Sequence, residues 1–124
     1  MANNMRRVTL IYCPNGIEYP YWAEKGYARI GSKYVHFKPE ADCFCDERKI
    51  EKEKCVVVDG WHDEIIRDVE EFRSALRERE EKRAAFLRDL ESELIDIRIK
   101  RVDEWNKANP YPEFKLRKNS LTIG

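Results

Sequence analysis

Between Asp59-Gly60 and Asn109-Pro110 the chain carries neither Gly nor Pro, and its apolar residues recur at helical spacing. Ile65, Val69, Phe72 and Leu76 form one quartet, and Leu87, Leu90, Leu94 and Ile97 form a second. Each quartet alternates steps of three and four residues, as a coiled-coil seam does. The step from Leu76 to Leu87 is a hendecad, which keeps the stripe on one side of a straight helix. The pattern predicts a single long helix over about residues 61–108, roughly 65–70 Å from end to end at the α-helical rise. The stretch Arg77 to Arg83 holds only charged side chains and no turn former. A straight rod is therefore expected in preference to a helical hairpin bent there.

The preceding residues, about 6–58, alternate differently. Val8 to Tyr12 is a β-branched run followed by Cys13-Pro14-Asn15-Gly16, and Asn-Gly is a strong turn signal. Ile17 to Trp22 reads as a second strand or extended segment. Gly26 to Ile30 and Lys33 to Phe37 read as a hairpin about Gly31-Ser32, with Tyr34 and His36 alternating against Val35 and Phe37. Cys43 to Cys45 and Cys55 to Val58 bracket a charged loop, Asp46 to Lys54. After Asn109-Pro110-Tyr111-Pro112, the residues Phe114, Leu116, Leu121 and Ile123 suit a last strand or a docked tail. The expected class is α+β: a small antiparallel β-sheet head, one long helix and a short C-terminal strand or tail, in a single domain.

Composition narrows the function more by exclusion than by assignment. The chain has 124 residues with 24 basic and 24 acidic side chains, so its net field is weak. A DNA mimic would need an acid excess, and a generic nucleic-acid binder a basic one. The first residues lead into too short an apolar run for a signal peptide, and no stretch is long enough to span a membrane. The expected compartment is the cytoplasm, where cysteines stay reduced, buried or metal-bound. Cys13, Cys43, Cys45 and Cys55 all fall in the head, and together they could make a closed tetrahedral zinc site. His36 or, less readily, His62 could replace one sulfur. The competing reading is four thiols packed as small hydrophobes, with no cofactor.

Asp59-Gly60-Trp61-His62-Asp63-Glu64 sets an imidazole among carboxylates where a strand meets a helix. Acid–base chemistry is conceivable there. Acids in a helix's first turn and a cap explain the same residues. No phosphate loop, nucleophile elbow, dinucleotide fingerprint or zinc-protease motif is present. Catalysis is not expected. Tyr19, Tyr21, Trp22 and Tyr27, with Lys25 among them, instead suit an exposed platform for a partner, with Arg48 and Lys49 in the charged loop beside it.

These features point to a non-enzymatic interaction protein that dimerises through its helix and binds, and so inhibits or regulates, another macromolecule. Small, charged, motif-free chains of this kind are common among phage and mobile-element accessory proteins that act on host machinery. Two alternatives share the same residues. One is a nucleic-acid regulator that uses the aromatic head and the basic tail (Lys115, Arg117, Lys118). The other is a module that sequesters a nucleotide-like ligand at the dimer interface.

Overall fold

The computed structural model describes residues 5–40, 47–118 and 120–123. Strands β1 (Arg6–Tyr12), β2 (Trp22–Ile30), β3 (Tyr34–Pro39), β4 (Arg48–Glu51), β5 (Cys55–Asp59) and β6 (Thr122–Ile123) form one sheet. Its order is β4-β3-β2-β1-β5-β6, and every neighbouring pair is antiparallel. Helices α1 (Asp63–Asp89) and α2 (Ile95–Ala108) follow β5. The α+β class and the antiparallel head agree with the sequence pattern.

Two local expectations need correction. The segment before Trp22 is a turn, not a strand. Gly16, at φ 112°, takes the left-handed conformation that a side chain would resist, and its N–H donates to the Cys13 carbonyl. The charged stretch expected as a loop contains β4, which pairs with β3 from Tyr34↔Glu51 to Phe37↔Arg48.

Strands β4 and β5 stand four places apart in the sheet order, yet only Lys52–Lys54 joins them. In a flat sheet that separation is about 19 Å, whereas the connection reaches at most about 14 Å. The sheet must therefore curl, as strands do on the way to closing a barrel. Gly26 allows this, because a Cβ there would collide with the Lys38 carbonyl oxygen and the Phe37 ring.

Curling makes the two faces unequal. The concave face gathers Val8, Leu10, Ala28, Val35, Phe37 and Val57 into the core, with Tyr12, Trp22, Ile30, Ile50, Cys55 and Ile123 packed against it. A groove of about 570 Å³ opens on this side, lined by Ile30 and Val35 from one half of the sheet and by Val57 and Ile123 from the other. Phe114 and Leu116 of the C-terminal segment also line it. The tail docks on the head, where β6 pairs with β5 and Arg117 holds Asp68 in a bidentate ion pair at 2.8 and 3.1 Å.

The convex face carries the alternate residues. Thr9, Ile11 and Val58 are fully buried there. Gly60, at φ 85°, turns the chain from β5 into α1, and the His62 N–H donates to the Thr9 hydroxyl. The first turns of α1 bury Ile65 and Val69, which stand one helical turn apart.

Phe72–Glu113 forms a second compact unit. The single rod expected over 61–108 is corrected here: the helix breaks at Leu90–Leu94, well beyond Arg77–Arg83, and α2 folds back along α1. Phe86 and Trp105 stack at 5.7 Å, and the Arg79 guanidinium donates to the Asn109 carbonyl at 2.9 Å. Three backbone bonds of the tighter 3₁₀ type close the turn, from Leu90, Glu91 and Glu93. Arg98 then donates to the carbonyls of Glu93 and Glu91, satisfying acceptors that the broken helix would leave open.

Consequently the two apolar quartets do not share one helix. Ile65, Val69, Phe72, Leu76 and Leu90 are buried within the single chain, and Leu87 is half-buried. Leu94 and Ile97 are exposed, together with Ile95 and Ile99.

Candidate functional site

Strand alternation divides the expected aromatic platform between the two faces. Tyr19, Tyr21 and Trp22 cluster with Tyr12 at the end of β1. Tyr12 stacks on Trp22 at 5.3 Å and meets Tyr21 edge-on at 6.0 Å, while Tyr19 meets Tyr21 at 5.8 Å. Asn15 donates to the Tyr21 hydroxyl, and the Arg48 guanidinium lies over Trp22 while pairing with Glu24. This cluster is largely satisfied by its own members, although Tyr19 and Tyr21 keep exposed edges.

Lys25, Tyr27 and Lys49 project from the opposite, convex face, because they stand at the alternate positions of β2 and β4. Register builds this face into rows. Arg7 pairs with Tyr27, which pairs with Lys38; Arg29 pairs with His36, which pairs with Lys49. Neighbouring strands are about 4.8 Å apart, so each row sets three side chains side by side.

Trp61 supplies the anchor that sequence reasoning missed. Its indole N–H donates to the Gly26 carbonyl at 2.9 Å, which fixes the ring over β2. Arg7 lies 4.7 Å and Lys25 5.7 Å from the ring centroid, and Tyr27 meets the ring edge-on at 5.6 Å. Lys49 lies 4.1 Å from the centre of the Tyr34 ring. Cations over ring faces draw on the ring quadrupole and need no buried acid. Among the described residues the counter-charges on this face are Asp63, which pairs with Lys25, Glu47, which approaches Arg29 and His36, and Glu51, which stands opposite Tyr34 and pairs with Lys54. Among the described residues Arg7, Lys38 and Lys49 make no salt bridge. A chain with zero net charge thus gathers on one face half-buried rings and cations that make no salt bridge among the described residues.

No known protein family, curated protein or solved structure matches this chain.

The remaining sequence candidates lie elsewhere. Cys13 and Cys55 come together, since Cys55 pairs with Tyr12 across the sheet. Burial raises the Cys13 thiol, and burial together with the neighbouring Cys13 pushes Cys55 up to about 11, so both stay protonated near neutrality. Cys43 and Cys45 lie outside the described residues. Among the described residues no group of three or more His, Cys, Asp or Glu side chains could hold a metal ion.

The Asp59–Glu64 junction is taken up by backbone geometry. Nε2 of His62 donates to the Asp59 carbonyl, its Nδ1 faces Glu64 at 3.2 Å, and Arg6 pairs with Asp59. The backbone N–H of Glu64 and then the His62 imidazole hold the Glu64 carboxyl below its ordinary range. Among the described residues no helix is long and apolar enough to cross a membrane.

Proposed function

We propose that this protein is a non-enzymatic binding protein that regulates a macromolecular partner held on the convex face of its sheet. The observation that carries the reading is the in-register juxtaposition of Arg7, Tyr27 and Lys38 beside the anchored Trp61. Tyr, Trp and Arg supply large contact area at low cost in side-chain entropy, and they dominate the energetics of recognition. Rings already fixed by the fold lose little further freedom when a partner arrives. Inhibition follows if the partner's own working surface is what the face covers.

Capture from a native host lysate tests this, comparing the wild-type chain with a Lys38→Glu/Lys49→Glu variant. The reading expects a partner retained by the wild type and lost by the variant at unchanged melting temperature. Equal retention by both would move the binding surface elsewhere and sink it.

A second surface favours self-association. Ile95 and Ile99, one helical turn apart, present an exposed apolar stripe at the start of α2. A homodimer through this stripe, in place of the longer seam read from the sequence, would remove it from water.

A further inference from the structure

We infer that the partner chemistry of the convex face is single-stranded nucleic acid, held through phosphates and stacked bases with little regard to sequence; the inference rests on the binding reading above. Three properties of the face select this class. First, cations and rings alternate along and across the strands. Lys25, Tyr27 and Arg29 are successive outward residues of β2, about 6.8 Å apart. A phosphate held by a cation therefore places the attached base beside a ring, which is the pairing that single-strand binding uses.

Second, the shape is wrong for a duplex. Reading B-form DNA requires a helix or a two-stranded ribbon that enters the major groove. The open part of this surface lies over β2, β3 and β4 on the convex side of the sheet, where the rings sit half-buried among the cations. Unstacked bases can lie on such rings, whereas bases stacked in a duplex cannot reach them.

Third, the charge is local and incompletely matched. Arg7, Lys38 and Lys49 lack salt-bridge partners among the described residues, and the acids beside Lys25 and Arg29 are exposed. An incoming phosphate displaces only weak, solvent-screened pairs. An acidic protein surface would satisfy the cations but would make no use of the exposed parts of the Tyr27, Tyr34 and Trp61 rings.

The test uses the full chain with fluorescein-labelled oligo-dT and oligo-U of about 12 nucleotides, and a duplex of the same length. Expected are anisotropy saturation with the single strands, weaker binding of the duplex and quenching of tryptophan fluorescence. Affinity should fall steeply between about 50 and 200 mM salt. Lys38→Glu/Lys49→Glu should weaken single-strand binding about tenfold or more, and Tyr34→Leu should weaken it without changing the salt dependence. Lys100→Glu/Lys107→Glu on α2 should leave it unchanged. The oligo-dT and oligo-U arms separate a DNA preference from an RNA preference.

Absence of binding at low salt, or binding indifferent to the Lys38 and Lys49 reversals, overturns the inference. If a protein is captured from lysate through Lys38 and Lys49 while no oligonucleotide binds, the nucleic-acid assignment falls and the binding reading stands. If neither occurs, both fall.

Discussion

The backbone N–H of His62 donates to the hydroxyl of Thr9 at 2.9 Å, and that hydroxyl donates in turn to the Gly60 carbonyl at 2.9 Å. One fully buried side chain in the middle of β1 thereby serves two backbone groups at the entrance of α1. Thr9→Val keeps the shape but leaves an N–H and a carbonyl unpaired, at a cost of about 1–3 kcal/mol. Thr9→Ser retains the hydroxyl and loses one methyl, about 0.8 kcal/mol. Urea denaturation should rank the two in that order, and the reverse order would show that the methyl matters more than the hydrogen bonds.

Arg79 plays a comparable part in the helical hairpin. It is 8% exposed, donates to the Asn109 carbonyl, and lies 3.8 Å from the Tyr111 ring centre and 5.1 Å from that of Trp105. Arg79→Met should cost roughly 2–4 kcal/mol within this unit, from a charge-assisted hydrogen bond and two cation–ring contacts. Arg79→Lys should not restore it, since an ammonium lacks the planar fork. Amide hydrogen exchange over residues 103–111 reports the loss, and protection equal to wild type in both variants would refute it.

The exposed stripe of α2 carries the association prediction. Light scattering of the wild type should give a dimer that Ile95→Glu/Ile99→Glu converts to a monomer, with circular dichroism unchanged. A wild type that stays monomeric at every concentration removes the homodimer.

Cys55 gives a pH dependence of definite sign. Its thiol ionises at about 11 in the folded chain, against 9.0 for an unperturbed thiol. The unfolded state therefore sheds its proton first, so the contribution is complete below pH 9 and lost as pH rises towards 11. Because the side chain is partly exposed, the loss should be on the order of 1 kcal/mol. Melting temperatures measured across that range should decline less in Cys55→Ala, and identical declines would assign the alkaline limb to other groups.

Much of the head was legible from alternation. Val8 to Tyr12, the hairpin about Gly31-Ser32 and the strand at Cys55 all appear as β structure, because period-two patterning is a local property. Strand β4 was hidden because Arg48 to Glu51 is charged at nearly every position. It becomes a strand by pairing with β3, not by its own propensity. The break at Leu90–Leu94 was equally hidden, since no Gly or Pro marks it. The stack of Phe86 on Trp105, the Arg79 anchor and the Arg98 bonds to open carbonyls stand in place of the helical bonds lost there.

The candidate site was half legible. Lys25, Tyr27 and Lys49 were singled out by residue type, and the structure places them on the convex face. Tyr19, Tyr21 and Trp22 have the same composition but belong to another cluster. Arg7, Arg29, Tyr34, Lys38 and Trp61 complete the convex face, and the alternation of Tyr34 and His36 was the one signal that a second, polar face existed.

The sequence alone determined most of the strands of the head and where helix follows sheet at Gly60. Those properties depend on residues a few places apart, which period and turn chemistry report directly. Only the tertiary structure decided that the sheet curls, that the helix folds back on itself, and that Trp61 joins Arg7 and Tyr27 on one face. Each of these depends on contacts between residues distant in the chain, and their free energy outweighs the local preferences that periodicity measures.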